Sequence, residues 1–117
     1  MPAEYVEATK ILSEKVKDDT RALQSLIEEI EAIEWYHQRA DVCTNESLKA
    51  ILLHNRNEEM EHATMLFEWL RRNMDHLDEP MKTYLFTKKS VVEIEAEQGE
   101  TKNEDSNSGS LNLGALK

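Results

Sequence analysis

Apolar and polar residues follow a helical period through most of the chain. Ile11, Leu12 and Val16, then Leu23, Leu26, Ile27, Ile30 and Ile33, form one long stripe that no Gly or Pro interrupts. That spacing predicts a helix over about 5–39. The pattern breaks at Ala40-Asp41-Val42-Cys43-Thr44-Asn45, where either Thr44 or Asn45 suits a helix N-cap. A second stripe runs through Leu48, Ile51, Leu52, Asn55, Glu59, His62, Leu66, Trp69 and Leu70. It predicts a helix over about 45–73, closed by Arg71 and Arg72 at the negative end of its dipole. So short a break makes the two helices antiparallel neighbours. A loop over 74–79 and a short helix over 80–86 follow, with Pro80 in the first turn of that helix.

After Thr87 the pattern changes. Glu93, Glu95, Glu97, Glu100, Glu104 and Asp105 crowd a stretch that also holds Gly99, Ser106, Asn107, Ser108 and Gly109. It reads as a solvated, disordered acidic linker over 91–109, too polar to pack. The last residues, Leu111-Asn112-Leu113-Gly114-Ala115-Leu116-Lys117, turn apolar again. Apolar residues beyond such a linker read as a docking peptide, and a frayed terminus is the plainer alternative. The expected organisation is a helical hairpin domain over 1–90, the linker over 91–109 and the peptide over 110–117.

Composition narrows the class. With 117 residues, three Gly, two Pro and few strand signals, the chain is expected to be one small all-α domain. The net charge of −10 disfavours nucleic acid and favours cations. The lone Cys43 excludes an internal disulfide framework and suits a reducing compartment. No apolar run approaches the roughly 20 residues that span a bilayer. Met1-Pro2-Ala3-Glu4 lacks signal-peptide character, so a soluble, cytoplasmic protein without a membrane partner is expected.

Two ionisable residues interrupt the second stripe. Glu59 and His62 sit one turn apart on a face that is otherwise apolar, where a charge is costly unless paired. Glu-x-x-His is the spacing with which di-iron carboxylate bundles hold metal, although it also arises by chance on exposed helices. On the first helix Leu26, Glu29, Ile33 and Tyr36 share a side, so Glu29 borders the stripe and can point across the hairpin. Two carboxylates and an imidazole suit Fe, Mn or Zn, with iron favoured by the carboxylate-rich set. Tyr36 reads as packing, with a hydrogen bond to a ligand as its functional alternative. Glu28, Glu31 and Trp35, at i, i+3 and i+7, are either a weaker cation site or a solvated acidic face. His54 and Glu58 read as an exposed helix pair, and His37, His76 and Cys43 as surface or packing residues.

A complete di-iron bundle draws one Glu from each of two helices and Glu-x-x-His from each of the other two. This chain carries half of that set on two long helices. A two-fold dimer brings two copies of Glu29, Glu59 and His62 around two metals and buries a stripe that one hairpin leaves uncovered.

Four stretches carry a resemblance to a known family: Glu28-Glu29-Ile30-Glu31-Ala32-Ile33-Glu34-Trp35-Tyr36, Ile51-Leu52-Leu53-His54-Asn55-Arg56-Asn57-Glu58-Glu59-Met60-Glu61-His62, Glu68-Trp69-Leu70-Arg71-Arg72-Asn73 and Thr83-Tyr84-Leu85-Phe86-Thr87. Over roughly residues 10–90 they make the chain resemble the encapsulated ferritins. That resemblance implies a half-ferritin subunit whose four-helix bundle is completed by dimerisation. It implies a ferroxidase acting on Fe(II) and oxygen, a di-iron centre at the dimer interface, and an annular decamer of five dimers. Glu29, Glu59 and His62 match the family's iron ligands, and Tyr36 a tyrosine near the iron. Glu28, Glu31 and Trp35 match a secondary site through which metal arrives. The terminal peptide looks like those that direct cargo into encapsulin shells, with Leu111, Leu113, Gly114 and Leu116 as its contacts. Leu113 and Ala115 depart from the usual Val and Ser. The implied place of work is inside an encapsulin nanocompartment. A non-catalytic acidic adaptor and a rubrerythrin-like di-iron peroxidase are the competing readings. The second is weakened by the absence of Cys-x-x-Cys.

Overall fold

A computed structural model of the chain describes residues 5–106, with side chains as far as residue 100. Four helices make up its regular structure: α1 (Glu14–Val42), α2 (Glu46–Asn73), α3 (Asp78–Tyr84) and α4 (Val91–Ser106). No strand occurs among the described residues, and none of their helices is long and apolar enough to cross a membrane. The all-α reading is correct. The chain divides after Leu77 into two compact units.

α1 and α2 are the packed hairpin of the first unit. α1 starts nine residues later than its apolar pattern predicts. Ser13 is its N-cap, accepting a hydrogen bond from the Val16 N–H at 3.1 Å, with Glu14 in the first turn. Residues 5–13 form turns and bends instead. Ile11 is 76% exposed, so an extra helical turn there has nothing to bury, and helical turns gain most of their stability from packing. At the far end α1 continues to Val42 and leaves a tight connection through Cys43, Thr44 and Asn45. Asn45, not Thr44, caps α2: its Oδ1 accepts from the Leu48 N–H at 2.9 Å and from the Ser47 hydroxyl at 2.8 Å.

The core between the helices is narrow. Ala22 and Leu26 of α1 meet Ala63 and Leu70 of α2, with Ile33, Leu66, Met74 and Leu77 packed around them. The alanines let the backbones approach closely. Leu70 is 1% exposed, and burying such a side chain stabilises by about 1.5–3 kcal/mol. Much of the apolar surface stays uncovered. Leu48, Ile51 and Trp69, expected on the buried stripe, are 48%, 56% and 38% exposed. A two-helix hairpin has one seam, and the stripe is wider than the seam.

The second unit holds α3 and α4. α3 begins two residues before Pro80, which falls within the first turn, where its missing N–H costs nothing. The acidic segment expected as a disordered linker is helical from Val91 to Ser106. Its first helical hydrogen bond runs from the Ile94 N–H to the Ser90 carbonyl at 3.0 Å. Lys89 pairs with Glu97, and Ile94 is buried. Glu, Ala and Gln are good helix formers and no Pro intervenes, so a charge run reads as solvated without being unstructured. Residues 107–109 and the terminal peptide lie outside the described residues.

Candidate metal centre

The seam between α1 and α2 positions the site. Ala22, Leu26, Glu29 and Ile33 follow one another at i, i+4, i+7 and i+11, so the packing that buries the apolar residues also turns Glu29 toward α2. Glu59 stands four residues before the core residue Ala63 and faces Glu29 in the same way. His62 lies on the adjacent, more open side and is 43% exposed at its side chain.

One donor atom each from Glu29, Glu59 and His62 lies within 4.8 Å of the others. The His62 Nδ1 is 3.5 Å from the Oε2 of Glu29 and 3.5 Å from the Oε2 of Glu59. Those separations are too long for strong hydrogen bonds. The Glu29 Oε2 is sealed from solvent and has no hydrogen-bond partner. The neighbouring Glu59 carboxylate, then burial, raises the Glu29 pKa, and His62 offsets this in part. Two carboxylates crowd one imidazole, with a buried oxygen left unsatisfied. A divalent cation at this point removes the repulsion and supplies the missing partner. The donor set of two carboxylates and one imidazole fits iron, so Glu29, Glu59 and His62 form a candidate metal site.

The same electrostatics make a prediction for the metal-free chain. A carboxyl whose folded pKa is raised contributes stability below its ordinary pKa, and this is lost as pH rises through the raised value. Glu29→Gln therefore should raise the melting temperature of the metal-free protein at pH 7 by about 2–5 °C. The gain should shrink as pH falls toward the ordinary carboxylate range. Thermal melts of both proteins against pH in chelator check this. A gain that persists at pH 4 contradicts it.

The other candidate residues are not gathered with these three. Glu28 and Glu31 are exposed and Trp35 is 53% exposed. Within one chain they form no cluster with a further acid or imidazole. Tyr36 is half-buried, with the Arg39 guanidinium 5.7 Å from its ring centre, near enough for a cation–π contact. His54 and Glu58 form the expected exposed pair, 3.4 Å apart. His37, set aside from sequence, meets Arg56 across the hairpin, Nη1 to Nδ1 at 3.1 Å. Asp19 is the residue that the sequence does not single out. It is buried, its Oδ2 bound by Lys15 at 3.0 Å and its Oδ1 without a partner. Its only signal is its place one turn before Ala22 on the packed face.

Known proteins share this arrangement. A ferritin-like protein of Thermotoga maritima is 56% identical over 97 residues, spanning 83% of this chain and 85% of that protein. An encapsulated ferritin-like protein of Rhodospirillum rubrum is 44% identical over 120 residues, spanning 95% of this chain and 86% of that protein. A crystal structure from Nitrosomonas europaea superposes with a TM-score of 0.72 at 50% identity, covering 74% of this chain and 96% of that one. The family model described as EncFtn-like matches residues 4–88, the span that holds both long helices and every residue of the metal cluster, and the chain therefore belongs to that family, the encapsulated ferritin-like proteins.

Proposed function

We propose that the chain is a ferroxidase subunit that oxidises Fe(II) to Fe(III) with oxygen at a di-iron site shared between two copies. The observation that carries this reading is the convergence of Glu29, Glu59 and His62 on the partly open side of a single hairpin. Three ligands hold one metal incompletely. A second copy related by a two-fold axis supplies a second set, and the total becomes four carboxylates and two imidazoles. The exposed Leu48, Ile51 and Trp69 lie along the same side of α2 as His62 and provide apolar surface for that copy to cover.

Iron is the substrate, each Fe(II) losing one electron to oxygen. The chain's own residues bind it and balance its charge. Glu29 and Glu59 neutralise the additional positive charge that oxidation creates. His62 binds as neutral imidazole, so acid weakens metal uptake. Tyr36, on the side of α1 that carries Glu29, is assigned a supporting hydrogen bond. Glu28, Glu31 and Trp35 are assigned the arrival of metal, which suits their exposure. A ring of dimers needs a second interface on each subunit. Val16, Leu23, Ile27 and Ile30 of α1 with Met60 and Phe67 of α2 are all between 38% and 48% exposed on the opposite side of the hairpin, and support an annular decamer. Stopped-flow absorbance after aerobic addition of Fe(II) tests the activity. Ferric absorbance must rise far faster than in protein-free buffer. Binding without acceleration identifies an adaptor instead.

The terminal peptide is assigned to docking in an encapsulin shell, which places the enzyme inside a cytoplasmic nanocompartment that stores the oxidised iron. Leu111, Leu113, Gly114 and Leu116 are its proposed contacts. Deleting Ser110 to Lys117 should abolish co-purification with the shell and leave Fe(II) oxidation unchanged. Continued loading of the truncated chain places the targeting signal elsewhere.

A further inference from the structure

The corner after α3 presents an aromatic side chain in an unusual way. Phe86 is fully exposed, at 104% of its reference area, and its backbone lies at φ 61°, the left-handed region that favours Gly or Asn. Local bonds hold the corner in place. The Leu85 N–H reaches the Met81 carbonyl at 2.9 Å, and the Thr87 hydroxyl reaches the Tyr84 carbonyl at 2.7 Å. Leu85, Val91 and Val92 beside it are 48%, 57% and 71% exposed. Backbone strain of this kind persists at sites of use. A rigid, solvent-facing aromatic is the residue type that anchors interfaces.

A matching groove lies on the first unit. Met65 and Trp69 of α2, with Thr64, Glu68 and Arg72 at its edge, line an open groove of about 360 Å³. Met65 is 60% exposed and Trp69 38%. The groove has room for a phenyl ring and an apolar floor to receive it.

We propose that the Phe86 corner of one copy seats in the Met65–Trp69 groove of another. Charge favours a second copy as the occupant. Lys88 lies two residues beyond Phe86, whereas the chain as a whole carries −10 and the exposed Glu61 lies one turn from Met65. Continuity favours it also. Trp69 lies two turns beyond His62 on α2, so the groove borders the side that the shared di-iron site already gives to another subunit. In that respect the inference rests on the ferroxidase reading. Each chain carries one corner and one groove, so the contact satisfies both partners of a symmetric pair or continues around a closed ring.

The test uses the full-length chain with p-benzoylphenylalanine incorporated in place of Phe86. Isotopically light and heavy protein are mixed under denaturing conditions, refolded, assembled and irradiated. Mass spectrometry should find the photoadduct on the tryptic peptide 57–71, joining light to heavy chains. Adducts confined to single chains, or lying on other peptides, overturn the proposal. So does an assembled sample that gives none. A second measurement separates docking from strain. Phe86→Gly relieves the positive φ, and it should weaken association roughly tenfold or more, as Phe86→Ala does. If Phe86→Gly associates as tightly as the parent, the side chain is not an anchor. Neither readout involves iron oxidation, so a protein that fails as a ferroxidase still gives a clear answer here.

Discussion

Glu59→Ala and His62→Ala should each lose rapid Fe(II) oxidation by a hundredfold or more while keeping native helix content. Loss of a residue that only supports a metal ligand typically lowers affinity or activity about 10–100-fold, and a direct ligand counts for more. Two-fold sharing enlarges the effect, because one substitution per chain removes two ligands from each site. The fold should survive. Glu59 and His62 are half-buried at the edge of the seam, and neither belongs to the Ala22, Leu26, Ala63 and Leu70 core. Both removals also relieve crowding rather than orphan a partner, since the Glu29 Oε2 already lacks a hydrogen bond. Stopped-flow traces and circular dichroism on the same samples separate loss of chemistry from loss of fold. Oxidation at the parent rate in either variant contradicts the assignment of these ligands.

Iron should also tighten association between chains by orders of magnitude. A ligand that binds only the assembled state stabilises it by about 2.7 kcal/mol when its concentration is a hundred times its Kd. Two metals per dimer then contribute about 5 kcal/mol, close to a ten-thousandfold shift in the dimer constant. Without metal the same interface brings four carboxylates together, and their repulsion opposes pairing. The raised Glu29 pKa shows that this conflict already exists within one chain. Light scattering across a protein dilution series, with and without anaerobic Fe(II), measures the shift. Equal association in both conditions shows that the metal and the interface are independent.

The hairpin was legible because its cues are local and strong. The stripe through Leu48, Leu52, Glu59, Leu66 and Leu70 follows one helical period, and Asn45 provides a cap that sequence narrowed to two candidates. The metal cluster was legible for a different reason. Glu59 and His62 are ionisable residues on an apolar stripe, and Glu29 follows the packed residues Ala22 and Leu26 of α1. The start of α1 was less clear. Ile11 and Leu12 continue the apolar pattern, but no partner surface buries Ile11, and the Ser13 cap ends the helix first. The acidic stretch after Ser90 was misread because net charge outweighed helix propensity in the reading. In the structure Glu, Ala and Gln residues form a helix with a single buried anchor, Ile94. The Arg56–His37 contact and the burial of Asp19 depend on how the helices pack face to face, which no single-helix pattern encodes.

Native mass spectrometry of the full-length chain, first in chelator and then after anaerobic addition of Fe(II), addresses the shared site most directly. The account predicts metal-free chains in smaller species that bind almost no iron as monomers. Dimers and larger rings should then appear with iron approaching one per subunit, two for each pair of chains. A monomer that binds two irons tightly without associating contradicts a centre built from Glu29, Glu59 and His62 of two copies.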